Sequence, residues 1–305
     1  MPRNVSRDPR WLDILLGHGR FCPDDPEESM PRSTLALFVL LLLFMSRPAL
    51  SHDKWFEIEP SRSTVPTQTK IYLVTGEALQ RAELLPLRRA ASVYRFQRIT
   101  TTGVRDLRGM LREDMQPIGV VSVDQIHAGT SLIVLDTQPV DIWLTAEKFQ
   151  SYLFEERLID ILAMRAQRRQ EDAPGRERYS RCLKTIVQVG DKLDDVVLRP
   201  VGQELEIVPL THPYSLRLGA NLAVRVLFRG MPISGRAVTF ARRHHSHVTT
   251  TVVRTDDGGQ ASVPVDQSGD WLVALVHMEP ATEAGADWRS YWSSLTFALS
   301  PEPVR

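Results

Sequence analysis

The chain has 305 residues, and its 37 basic and 37 acidic side chains cancel to a formal charge of zero. No basic run stands out, so the electrostatic footprint of a nucleic-acid-binding protein is absent. Of the two cysteines, Cys22 precedes a long apolar segment and Cys182 follows it. If that segment is removed, Cys182 stands alone, an intrachain disulfide is excluded and the core must hold by packing.

Residues 1–29 read as an over-extended, disordered N-terminus, with Met30 as the expected start. Met30-Pro31-Arg32 forms a short basic lead into the uncharged run Ser33–Met45. Arg47-Pro48 and the small residues Ala49 and Ser51 follow, which is the order of a secretory signal peptide spanning 30–51. Thirteen helical residues cover roughly 20 Å against about 30 Å of hydrocarbon, so a cleaved signal is favoured over an uncleaved anchor. Either way the remainder is expected outside the cytoplasm. Export without disulfides suits a bacterial periplasm, and no cysteine at the cut offers a lipid attachment point. No other segment is expected to span a membrane.

From Trp55 to Leu144 short extended runs dominate: WFEIEP, KIYLVTG, SVYRFQRIT, IGVVSVD and TSLIVLD. Each is bounded by Gly, Pro, Asp or Thr, as strands of a sandwich are. Helical spacing then takes over in TAEKFQSYLFEERLIDILAMRAQRRQ, with Phe149, Leu153 and, after a shift, Leu158, Ile161 and Leu162, predicting a helix over about 145–171 with Arg165, Arg168 and Arg169 at its C-terminal end. Strand character resumes at Tyr179–Val189, and Asp191, Asp194 and Asp195 read as a solvated turn.

Beyond Val201, seven strands are expected at ELEIVP, LAVRVLF, AVTFA, VTTTVVR, QASVPV, WLVALVH and SLTFAL. Turns rich in Gly and Asp separate them, as in an immunoglobulin-like sandwich. The expected fold is therefore mainly β, with two β-sandwich domains. The first, 52–198, carries the helical insertion; the second, 201–300, is immunoglobulin-like.

The run HDKWFEIEPS directly after the signal, followed by LTAEKFQSYLFEE and RERYSRCLKTIVQVGD, resembles a bacterial periplasmic family, domain of unknown function 4198. The resemblance continues through RPVGQELEIVPLTHPYSLRLGANLAVRVLFRGMPISGRAV, RTDDGG, SGDWLVALVHM and ADWRSYWSSLTF, and weakens over Ala78–Glu113. It implies an exported, β-rich protein, and members of the family are often labelled nickel- or cobalt-uptake components.

GxSxG, P-loop, HExxH and CxxC motifs are all absent. Common hydrolase, nucleotide and zinc-protease chemistries therefore lose their anchor, and a non-enzymatic role is favoured. A cut after Ser51 would leave His52 as the first residue, its α-amine and imidazole together chelating one ion. Nitrogen donors of that kind favour Cu(II) or Ni(II).

His277, at the end of WLVALVH, is the second candidate ligand; the alternative is a ring satisfied by loop backbone. Asp287 in DWRSYW is a candidate third ligand or an orienter of that ring, whereas Trp288 and Trp292 read as packing. His244-His245-Ser246-His247, preceded by two arginines, reads as a solvated hairpin, and His127 and His212 sit in turns.

Two readings lead. One is a periplasmic protein binding nickel, cobalt or copper through His52, His277 and Asp287, in support of uptake or homeostasis and with a separate permease or envelope protein as partner. The other is a non-catalytic immunoglobulin-like module recognising proteins or glycans. A copper oxidase braced by two histidines is a third, and it requires His277 to converge on the mature terminus.

Overall fold

The computed structural model describes residues 53–60, 62–65, 67–84, 92–111, 120–125 and 127–299. The expected signal segment, the start at Met30 and His52 lie outside these residues. Strands expected from sequence on both sides of residue 200 form where their patterns place them, and several more join them.

In chain order the strands begin with β1 (Asp53–Glu59), β2 (Arg62–Ser63), β3 (Thr67–Glu77), β4 (Gln80–Leu84), β5 (Val93–Thr100) and β6 (Gly103–Asp106). Next come β7 (Val120–Gln125), β8 (Gly129–Thr137) and β9 (Val140–Leu144), then helices α1 (Ala146–Glu155) and α2 (Ile159–Gln167). The long β10 (Gly175–Val189) follows, then β11 (Leu205–Pro209), β12 (Asn221–Phe228), β13 (Met231–Pro232) and β14 (Ala237–His244). β15 (His247–Arg254), β16 (Gln260–Pro264), β17 (Gly269–Pro280) and β18 (Trp288–Leu299) complete the described chain.

These strands make three sheets. A central ten-stranded sheet runs β15-β14-β17-β18-β10-β8-β5-β6, with β2 and β9 also on β10. An amino-terminal sheet is built on β3, flanked by β1, β4 and β7, and a carboxy-terminal sheet on β12, flanked by β11, β13 and β16. The protein is thus mainly β, with a sandwich-like layout. The seven expected C-terminal strands divide between the carboxy-terminal and central sheets. The central sheet then continues without a break into the first half of the chain, because β18 pairs β10 in parallel from Glu177↔Trp288 to Thr185↔Thr296.

Side-chain alternation sorts the layers. On β8, Leu132 and Val134 join the core shared with the carboxy-terminal sheet, while Ile133 and Leu135 join the core beneath the amino-terminal sheet. On β17, Trp271, Val273 and Leu275 face the carboxy-terminal sheet. Leu272 and Ala274 meet Trp55 of β1, and Val276 and Met278 meet the helices. The inner strands β8, β17, β18 and the second half of β10 are thereby buried on both faces, which explains their near-continuous apolar runs, whereas β6, β9 and β15 are largely exposed.

The single helix expected over about 145–171 is two. Thr145 caps α1 by accepting from the Lys148 N–H, and α1 ends where Arg157 adopts a left-handed φ of 56°. The Leu158 N–H bonds the Leu153 carbonyl and the Arg157 N–H bonds that of Phe154, which is a Schellman closure. Leu153 and Leu158 then sit in one cluster with Trp288 and Trp292. The apparent shift in the sequence's helical spacing marks this break.

Candidate functional site

β1 begins at Asp53, the residue covalently following His52. It pairs with Gly76 of β3, and its Oδ2 accepts from the Ala78 N–H at 3.3 Å. Beside it opens a cavity of about 470 Å³ whose lining includes Asp53, Glu77, Glu155, Glu156 and Arg157. The Schellman turn delivers Glu155 and Glu156 to this place, because it stops α1 at that point and sends the chain back as α2. Glu156 is therefore the C-cap of α1, where the helix dipole is negative and disfavours a carboxylate.

Burial, and then the Asp53 carboxylate, push the Glu156 carboxyl up to about 8. The Arg181 and Arg157 charges oppose this without overcoming it. Arg181 is itself buried, its guanidinium 4.7 Å from the Trp292 ring centre and 5.4 Å from that of Tyr179. Its Nε has no hydrogen-bond partner, and among the charges acting on it are Asp53 and Glu156. The start of β1 thus faces two carboxylates that resist being charged together and one desolvated cation.

His277 is placed differently. It lies on the face of β17 that turns toward the carboxy-terminal sheet, with the Phe228 ring edge-on at 4.4 Å. Its Nδ1 is buried without a partner. Burial, aided by the Arg236 charge, lowers the ring to about 4, so it is a neutral aromatic at neutral pH. Asp287 is committed to Arg176, which donates from Nε at 2.9 Å and Nη2 at 2.5 Å. This bond is the main reason that the Asp287 carboxyl lies below its usual range. The structure therefore does not bring Asp287 to His277, nor His277 to the face of β17 that Asp53 adjoins.

The remaining histidines have local roles. His212 bonds the Thr130 hydroxyl at 3.1 Å and accepts from the Tyr214 N–H, capping the turn Pro213–Ser215. His244 and His247 are opposed across the β14–β15 hairpin, with His245 at φ 54° in the turn. Trp288 and Trp292 pack under the helices. Among the described residues no group of three or more His, Cys, Asp or Glu is placed to hold a metal. No described helix is long and apolar enough to cross a membrane.

Glu156 and Arg181 were not singled out from sequence, although both fall in runs that carry the family resemblance. No spacing rule connects them with Asp53; only the pairing of β1 and the turn after α1 do so.

Stacked sheets with a helical insert define a mainly-β protein of sandwich type. The family described as "Domain of unknown function (DUF4198)" matches residues 49–279, well over half of the chain, and the chain belongs to that family. No curated protein matches it. Among solved structures it is similar to the "tetra-tandem repeat in extending region of large adhesion protein", at 12% identity and a TM-score of 0.22. That match covers 83% of this chain and 50% of the other, so this chain spans half the length of that structure.

Proposed function

We propose that this protein is exported to the bacterial periplasm and binds a transition-metal ion, nickel, cobalt or copper, at its processed amino terminus, in support of uptake or homeostasis. The observation that supports the reading is the Asp53–Glu156 pair in the cavity at the start of β1. Burial, with the Asp53 charge added to it, keeps Glu156 protonated near neutral pH, and a divalent cation would offset both effects.

The donor chemistry fits in kind. Asp53 and Glu156 are the oxygen donors, and His52, cut free after Ser51, adds an imidazole and an α-amine of the type these ions prefer. His277 and Asp287 are engaged elsewhere, so the terminal histidine is the ligand on which the reading depends. Movement of the ion across a membrane would fall to a separate permease.

Mass spectrometry of the exported protein comes first, to locate the cut. Nickel, cobalt and copper titrations then compare the chain starting at His52 with His52→Ala, Glu156→Gln and His277→Ala. Loss of binding in the first two and retention in the third is expected. Equal uptake by His52→Ala sinks the proposal.

A second reading, a protein- or glycan-binding module, is favoured by one surface. β9 pairs only β10 among the described strands and exposes Val140, Ile142 and Trp143, the last at 73%. Screening glycans and envelope peptides against the protein and Trp143→Ser tests it: binding lost in the variant supports this module, and no binding by either removes it.

A further inference from the structure

The β14–β15 hairpin gathers three imidazoles at its tip, and neither reading above uses them. β14 ends at His244 and β15 begins at His247, and these two residues are direct partners across the hairpin. Side chains opposed in this way share one face of the sheet, with Cβ atoms about 4.5–5.5 Å apart. Two imidazole nitrogens bound to one zinc-sized ion at about 2.0–2.1 Å lie about 3.3 Å from each other, a spacing that such a pair can reach. His244 is half-buried and His247 exposed, so the ring of His247 has room to turn toward its partner.

The His244 ring is already oriented for coordination. Its Nδ1 lies 3.0 Å from the Ser268 carbonyl oxygen. A carbonyl can only accept, so Nδ1 carries the proton and donates it, and the neutral ring keeps a free lone pair on Nε2. Ligand histidines are commonly fixed in this manner, through the other ring nitrogen to a backbone carbonyl. Gly269 makes the contact possible. A Cβ at that position would collide with the Arg243 carbonyl, so glycine lets the Ser268–Gly269 backbone press against the end of β14. From the other side the His245 ring stands edge-on to His244, with centres 4.3 Å apart, and limits its rotation.

The two arginines before the tip do not repel a cation from this face. Arg243 projects to the opposite face by strand alternation and donates to Glu57 and Asp270. Arg242 shares the face of His244 and donates to the Asp266 carboxylate. Both charges are therefore answered within the fold.

We propose that this hairpin tip binds a divalent transition-metal ion, zinc foremost, through His244 Nε2 and the His247 ring, with water in the remaining positions. Imidazole donors suit zinc, copper and nickel, whereas magnesium and calcium take oxygen. Structural zinc sites are closed by four protein ligands, so a site with two is open and exchanges its ion with solvent.

The test is calorimetric titration with zinc of the full exported chain carrying His52→Ala, which removes the terminal imidazole. Saturable uptake of one ion per chain is expected. His244→Gln and His247→Gln, each added to that chain, should weaken it at least about tenfold, which corresponds to about 1.4 kcal/mol. His247 is exposed, so its variant should melt at the parent temperature and isolates the loss of a ligand from any loss of fold. No saturable uptake by ~1 mM zinc overturns the proposal. So does zinc binding that both variants leave intact, or equal binding of magnesium. In the nickel, cobalt and copper titrations above, this site adds an ion that His52→Ala and Glu156→Gln leave in place. Its failure and that of the terminal site are therefore read from separate ions.

Discussion

His277 and Tyr291 are direct partners across β17 and β18, their rings 6.1 Å apart and nearly parallel at 19°. The Tyr291 hydroxyl donates to Glu279 at 3.0 Å and accepts from Arg229 at 2.8 Å, so the phenol is tied to the surface. The imidazole has no such tie through Nδ1. It fills the place of an aromatic ring in a layer closed by Phe228.

That placement sets an acid sensitivity. The unfolded chain takes up a proton on His277 below about pH 6.5, whereas the folded ring resists until about 4. Between those values the unfolded state holds more protons, so stability falls as the pH falls. The loss amounts to about 3 kcal/mol by pH 4. Arg236 and Arg229 add to the resistance, and Glu279 and Asp160 oppose it. Urea melts from pH 7 to 4 should show this slope in the parent and a flatter one in His277→Leu.

Glu156 has the opposite sign. Its folded value of about 8 lies above that of the free side chain, so its contribution is complete below about pH 4.5 and is lost as the pH rises through 8. Allowing for its partial exposure, the change is on the order of 2 kcal/mol. Glu156→Gln should remove that slope in melts from pH 5 to 9. If a divalent cation occupies the cavity, the parent should also release protons near pH 7 from both Glu156 and the His52 α-amine, about two per ion, and any ion still taken up by the variant should release about one fewer.

Lys184 and Glu206 form a buried ion pair at 2.5 Å, each about 2% exposed. Glu206 also accepts from the Val201, Gly202 and Gln203 N–H groups, holding the approach to β11. Glu206→Ala should cost about 3–5 kcal/mol in chemical denaturation, since it strands the ammonium and three backbone donors. The double change Lys184→Met with Glu206→Leu should recover only part of this, because the backbone donors remain without an acceptor.

Gly175 opens β10 directly against the Phe149 ring, and a Cβ there would fall inside that ring's contact distance. Phe149 is wholly buried between α2 and Trp288, with the Arg165 guanidinium 4.9 Å from its centre. Gly175→Ala should therefore destabilise by about 1–3 kcal/mol through overpacking. Phe149→Leu in the same chain should restore part of the loss, as read from paired thermal melts.

Most of the strands were legible because their apolar runs are local. Both Tyr179–Val189 and WLVALVH name their strands without reference to any partner. Sheet membership was not legible: nothing local in RERYSRCLKTIV says that it lies parallel to WRSYWSSLT, so the continuity of the central sheet across residue 200 emerges only in the fold. The helix break was half visible as a shift in spacing, but a left-handed arginine at 157 carries no glycine to announce it. For the site, His277 and Asp287 were chosen for what their side chains can do. Their neighbours Phe228 and Arg176, distant in sequence, determine what they do here.

The parallel seam between β10 and β18 also has a kinetic side. The Thr185 hydroxyl bonds the Thr296 carbonyl across 111 residues of chain. A polypeptide delivered from its N-terminal end, by ribosome or export channel, holds β10 and β17 with open edges until residues 288–299 arrive between them. Non-local closure of this kind folds slowly and leaves strand edges available to other chains meanwhile. Newly delivered copies are therefore exposed to edge-to-edge association in the interval before β18 docks.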